Sequence, residues 1–322
     1  MEPVVSRTLE RVTKTFHSVL TALLFLAVSV PVTAHAAAAS GAEKEVPRST
    51  GFGGACPKCE LSGRRLAGAH FMGADFSGSA FVGSDLRDAH FLGSNFTGAN
   101  LSHADLSDAQ ILGTIFVGAN MSHVRLRSTE AKGVIFTNAN LSNADLNDAE
   151  ATGANFIKTN LNGATLRSAE LQGANFTKAQ ANGVDFRDAS LQGAVLVDGN
   201  FDKASFRSAS MSGALLTGGS FDGADFKDTE LHHTVIAGVD LSRARGLSQD
   251  QLEDACADSR TRLPRGLVAR TCGANMRVII QQAGSPIWAA HVVIPAIPAP
   301  PAPPAPPAPP PPAIRRLVSA PN

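Results

Sequence analysis

Residues 86–106 read LRDAH-FLGSN-FTGAN-LSHAD-L, with Leu86, Phe91, Phe96, Leu101 and Leu106 five residues apart and Ser or Ala two residues before each. An amphipathic helix repeats every 3.6 residues and an ordinary strand every two, so a period of five fits neither. It fits a chain that turns a corner once per unit and sends two of its five residues inward. The small and the large residue are two apart, so they leave an extended backbone on the same side. The large one fills a central axis, and the small one lets the next wall approach.

Outward from this stretch the period holds from Leu61 to Leu241 without an insertion. Phe and Leu dominate, Met121, Met211, Ile111 and Ile236 are near equivalents, and only Ala131, Ala151 and Ala181 are small. A longer period counts the sides. Leu86-Arg87-Asp88-Ala89 returns as Leu106-Ser107-Asp108-Ala109, as Leu146-Asn147-Asp148-Ala149 and finally as Phe226-Lys227-Asp228-Thr229, always on a step of twenty. Four units therefore close one coil. The stretch holds about nine coils, roughly 43 Å of rod at a strand spacing of about 4.8 Å. Ala131 and Ala151 share a column, so the core is expected to thin there and to be filled by Phe136 and Phe156.

Units such as Ala74-Asp75-Phe76-Ser77-Gly78, Ala99-Asn100-Leu101-Ser102 and Ala174-Asn175-Phe176-Thr177 resemble the A(D/N)LXX unit of the pentapeptide-repeat family. The resemblance implies an all-β fold, a right-handed quadrilateral parallel β-helix. It implies little about activity, because members of that family differ widely in what they do. The opening Cys56-Pro57-Lys58-Cys59 and the closing Gly246-Leu247-Ser248-Gln249 with Leu263-Pro264-Arg265-Gly266-Leu267 resemble the ends of exported bacterial members.

The flanks set the other boundaries. Arg7, Arg11 and Lys14 precede an apolar run, Val19 to Val30, that is too short to span a bilayer, and Ala34-His35-Ala36 follows as a small-x-small cleavage pattern. Residues 1–36 thus read as a signal peptide, with export to the periplasm or outside the cell and no stable membrane insertion after cleavage. Residues 37–55 are a polar leader, 56–245 the solenoid and 246–275 a C-terminal cap. There Ser248 and Gln251 form a capping box for a short helix from about Gln249 to Ala257. Residues 276–294 carry two apolar runs around Gly284-Ser285-Pro286, an extended arm or hairpin, and 295–322 form a Pro/Ala-rich tail expected to act as a polyproline spacer or tether. Four cysteines in an exported chain favour disulfides. Cys256 and Cys272 are expected to bond and tie down the cap. Cys56 and Cys59 are a terminal staple, free thiols or a redox pair.

The charges balance, with 28 Lys and Arg against 28 Asp and Glu among 322 residues. That removes the basic excess on which nucleic-acid binding rests; a DNA-mimic, gyrase-binding role, known in the family and wanting a strongly acidic cytoplasmic rod, is kept only as a remote alternative. Side chains twenty apart stack, so surface columns are readable. His70 over His90 and His103 over His123 point outward as surface pairs, and neither a metal nor a cofactor is expected. Arg87, Arg127, Arg167, Arg187, Arg207 and Lys227 form a stripe, with a column holding Glu130, Glu150, Glu170 and Glu230 three residues on, expected to give lateral ion pairs. Asn100, Asn120, Asn140, Asn160, Gln180 and Asn200 form an amide ladder.

One outward column set is apolar: Ile115, Val117, Ile135, Ile157, Val195, Val197, Leu215 and Val235. These alternate with core residues and should face solvent, and a flat band of this kind marks an interaction surface. Coverage by the C-terminal arm is the alternative. No nucleophile–base set, phosphate loop or inward carboxylate pair is present, so no enzyme is expected; a polysaccharide-active β-helix is the remote alternative. The sequence thus points to a non-catalytic exported scaffold that binds a protein partner, or itself, through the apolar wall. A purely structural envelope protein is the runner-up.

Overall fold

The computed structural model describes residues 54–273. The chain divides into two units, Met1–Glu43 and Lys44–Asn322, and every described residue belongs to the second. The signal peptide, nearly all of the leader, the arm and the tail lie outside the described residues.

Each five-residue unit contributes one bridge residue, paired in parallel with the residue twenty further on. The bridges run without a gap from Ala55↔Asp75 to Asp225↔Arg245. Four such columns, offset by five residues, make the four walls of a β-helix. One unit shows how the backbone is satisfied. Leu86 N–H donates to Asp105 O at 2.7 Å and Asp88 N–H to Ser107 O at 3.1 Å, while Asp85 N–H donates back to Arg64 O at 2.9 Å. Ala89 N–H closes the corner onto Leu86 O at 3.1 Å. The third residue of that turn has positive φ, as at Gly68 (64°) and Asp88 (57°), which is the conformation a type II turn requires. Gly recurs at this position because it adopts it without a Cβ penalty.

The large apolar residues meet on the axis. Phe76, Phe96, Phe116, Phe136, Phe156 and Phe176 form one continuous stack with ring centroids 4.7–5.4 Å apart. Phe186–Phe206–Phe226 and Phe201–Phe221 stack beside its far end. Ala131 and Ala151 are buried next to the unbroken stack at Phe136 and Phe156, as their column implies. The inward hydroxyls carry a bond that spacing alone does not reveal. Thr159 Oγ1 donates to Phe136 O at 2.7 Å and Thr229 Oγ1 to Phe206 O at 2.6 Å, each reaching back one coil. A buried Thr therefore substitutes for Ala without leaving an unpaired hydroxyl.

Beyond the rod the expected helix is shorter than its pattern suggests. Helix α1 covers Gln249–Leu252 and ends there; Cys256–Ala257 belongs instead to strand β1, paired in parallel with β2, Arg270–Thr271. The physical reason is competition from the ladder. Cys256 bridges Val235, with Ile236 N–H on Cys256 O at 2.8 Å, so the chain leaves the helix to extend a wall. Gln251 Oε1 accepts from Ser248 N–H at 2.7 Å, and its Nε2 donates to Phe226 O at 2.9 Å and Thr229 O at 2.8 Å. Those carbonyls have no further coil above them.

Candidate functional site

The walls are assembled from the second and fourth positions around each core residue, and the bridge residue just before the core residue decides each wall's chemistry. The N–H of the residue just after the core residue takes a side-chain acceptor instead of a ladder carbonyl. At times that acceptor lies on the preceding coil, as for Val82 on Ser62 Oγ at 3.2 Å and Arg167 on Asn147 Oδ1 at 2.9 Å, but more often on its own unit. An Asp or Asn at the bridge position takes it: Ser77 N–H donates to Asp75 Oδ1 at 3.0 Å, Thr97 N–H to Asn95 Oδ1 at 3.0 Å and Ser107 N–H to Asp105 Oδ1 at 3.1 Å. This is the reason the unit favours Asp or Asn there. Spacing placed these residues outward but did not reveal this role; the signal was the invariant two-residue offset from each turn. The amide column uses both ends of its side chains. Asn120, Asn140 and Asn160 Nδ2 donate to the Oδ1 of Asn100, Asn120 and Asn140 at 3.0–3.2 Å.

The basic stripe is paired, but with different partners from those expected. Arg87 and Arg187 bond to Asp85 and Asp185, two residues back on the same coil, at 2.8 and 2.5 Å. Arg167 and Arg207 reach Asp185 and Asp225 of the following coil at 3.6 and 3.3 Å. The Glu column three residues on takes Lys132, which lies 2.6 Å from Glu150, and none of these arginines. Two residues of extended chain bring side chains to one side of the backbone, whereas three put a corner between them. The Arg87 hydrogen bond is the main cause holding the Asp85 carboxyl below its ordinary range. For Asp185 partial burial pushes upward, and the Arg187 side chain and backbone N–H outweigh it. Pairs this exposed contribute little stability, but they engage each arginine of the stripe with a carboxylate of the rod itself.

The two His pairs stack, with ring centroids 4.2 Å apart for His70–His90 and 4.8 Å for His103–His123. Among the described residues no group of three or more His, Cys, Asp or Glu is placed to hold a metal ion. Cys56 is bonded to Cys59 across the first turn, and Cys256 to Cys272 across the β1–β2 pair. Among the described residues no helix is long and apolar enough to cross a membrane.

The apolar wall departs from its expected form in two ways. Ile115, Val117, Ile135, Ile157 and Leu215 are half-buried, but Val195 (8% exposed), Val197 (3%) and Val235 (4%) are buried rather than solvent-facing. Alternation decides which way a side chain leaves the backbone, not what lies over it. The band is also interrupted. The bridge column runs Ile115, Ile135, Asn155, Asn175, Val195, Leu215, Val235, Cys256, so two asparagines separate an N-terminal from a C-terminal patch. Asn155 and Asn175 are committed to the backbone, accepting from Ile157 N–H at 3.0 Å and Thr177 N–H at 2.9 Å.

A rod whose polar groups are consumed in its own ladder, and whose distinguishing surface is an aliphatic strip, belongs to the β-helical repeat proteins. Family models described as pentapeptide repeats match residues 61–110, 94–130, 135–173, 169–207 and 209–245. The chain belongs to the pentapeptide-repeat family. No curated protein matches it. It is similar to the solved structure of HetL, a pentapeptide repeat protein involved in heterocyst differentiation regulation from Nostoc sp. strain PCC 7120. The identity is 23%, with 69% of this chain and 93% of that one covered and a TM-score of 0.30. It is similar too to QnrB1, a plasmid-mediated fluoroquinolone resistance protein, at 23% identity over 59% of this chain and 90% of that one, with a TM-score of 0.32. A pentapeptide repeat protein of the Arabidopsis thaliana thylakoid lumen matches at 29% identity over 33% of this chain and 71% of that one, with a TM-score of 0.26.

Proposed function

We propose that the protein is a non-catalytic, exported scaffold, located in the periplasm or outside the cell, whose rod binds a protein partner or a second copy through its apolar wall. The observation that carries this reading is the N-terminal patch. Ile115, Val117, Ile135 and Ile157 leave aliphatic surface half-exposed on a wall where the family's unit otherwise places Asp or Asn. An aliphatic residue at 115 or 135 forgoes the carboxylate or amide bond to the next turn, a cost that an interface offsets. The internally paired arginine stripe supports a protein rather than a nucleic-acid partner. We further read the winding as right-handed, since parallel crossovers almost always are, with about nine coils at the usual spacing and α1 with β1–β2 as the cap.

The test is Ile115→Asp combined with Ile135→Asp. Both side chains leave the rod, so the thermal midpoint should hold while the association state by light scattering, or a reproducible set of in-host crosslinks, is lost. Identical association and crosslinks in the wild type and the variant would sink the reading and leave a purely structural rod.

A further inference from the structure

The C-terminal patch presents a different problem from the N-terminal one. Val195, Val197 and Val235 leave the wall outward and yet are buried. Gln192 Oε1 and Thr217 Oγ1, beside them on the same stretch of rod, are buried with no hydrogen-bond partner. Buried polar atoms in native proteins are nearly always paired, so such atoms mark a place where another polar chain belongs. The aliphatic side chains at 195, 215 and 235 also supply no acceptor for the N–H groups of Val197, Thr217 and Ala237, the group that a bridge Asp or Asn accepts from in units such as 75–77 and 175–177. The patch therefore combines an apolar strip with donors and acceptors at coil spacing, which suits an extended peptide.

The route of the chain names the peptide. Cys256 continues the Val195–Leu215–Val235 column, and Cys272 is disulfide-bonded to it, with Cys272 N–H on Ala257 O at 2.9 Å. The described chain ends one residue later, at Gly273. The following segment thus starts at the head of the patch, and it holds Val278, Ile279, Ile280, Ile287, Trp288, Val292, Val293 and Ile294. Three coils separate Cys256 from Val195, about 14 Å at the strand spacing, which four or five extended residues span.

We infer that residues 277–294 dock in cis along the C-terminal patch, covering Val195, Val197, Leu215 and Val235 and leaving only Ile115, Val117, Ile135 and Ile157 for a partner. The inference rests on reading the apolar band as a docking wall, but not on there being a partner. Trp288 is the chain's only Trp and there is no Tyr, so the intrinsic fluorescence of the full chain reports this segment alone. Trp288 emission in the folded full chain should be blue-shifted from its value in urea, shielded from iodide, and unchanged on dilution. Val197→Asp and Leu215→Asp should each move it toward the unfolded-state spectrum with far-UV circular dichroism retained, whereas Ile135→Asp should not. A wild-type Trp288 as accessible to iodide as in urea overturns the inference, whether or not either variant folds. So does shielding that is lost on dilution, which would assign the patch to a second copy, or emission indifferent to both patch variants. None of these readouts depends on the association measured for Ile115→Asp with Ile135→Asp, so the two readings fail separately.

Discussion

Gly219 and Gly199 stand at the small inward position ahead of Phe221 and Phe201. A Cβ on Gly219 would lie 2.9 Å from Phe221 Cε2 and 3.2 Å from the carbonyls of Gly199 and Leu196; on Gly199 it would lie 2.5 Å from Phe201 Cε2. Elsewhere Ala fills this position against Leu or a differently tilted ring, so these two glycines make room for the stacked Phe201–Phe221 pair, 5.2 Å apart. Gly219→Ala adds one methyl to a core that cannot expand. It should cost about 1–3 kcal/mol, the usual range for overpacking, read as a lower urea midpoint at unchanged slope. A midpoint equal to wild type would mean that the ring has space the stack does not show. Gly246 is constrained differently. It has φ 75° and a Cβ there would meet Lys227 N and Cα at 2.6 and 2.7 Å, so the chain can leave the rod at this point only through glycine.

At the scale of elements, α1 is too short to persist by itself. It is held by Leu252 and Ala255, both buried against the rod, and by the Gln251 amide on the terminal carbonyls. Asp258 ties its loop to the rod, accepting Gly238 N–H at 2.8 Å, and closes the loop on itself by accepting Thr261 N–H at 3.1 Å. The Cys256–Cys272 disulfide closes this assembly over a sequence separation of 16. Replacing both cysteines by Ala should lower stability by about 2–4 kcal/mol, as for loops of this length. The loss should fall first on the cap: amide exchange should rise at 252–262 before it rises at the central coils, because each coil of a solenoid contacts only its neighbours. Uniform acceleration along the rod would contradict that order.

At the scale of the whole molecule, stability should respond to acid through the few carboxylates that the fold holds below their ordinary range, among them two within the rod and two near its C-terminal end. The Ser242 hydroxyl and N–H, then Arg262, hold Asp240 below its usual range. Desolvation pushes Asp258 upward, and bonds from Arg260, Gly238 and Thr261 outweigh it and bring the group to about 2. With Asp85 and Asp185 also lowered, the unfolded chain binds protons more readily than the folded one below about pH 4. The contribution of these groups is complete above the unfolded carboxylate range and is lost as pH falls toward 2. The urea midpoint should therefore be flat from pH 7 to about 5 and decline below about 4; a midpoint that rises on acidification would contradict the paired geometry. The period of five, the step of twenty, the inward Phe and Leu and the columns themselves were legible from spacing, because a side chain's direction follows from its position along a regularly turning backbone. So were the Ser248–Gln251 box and the Cys256–Cys272 pairing. Ion-pair partners, the Thr hydroxyl bonds, the Asp and Asn bonds to the turn, the early end of α1 and the burial of Val195, Val197 and Val235 emerged only once the coils were stacked. Each of these depends on distances across coils and on what covers a wall, and a repeat in one dimension carries neither.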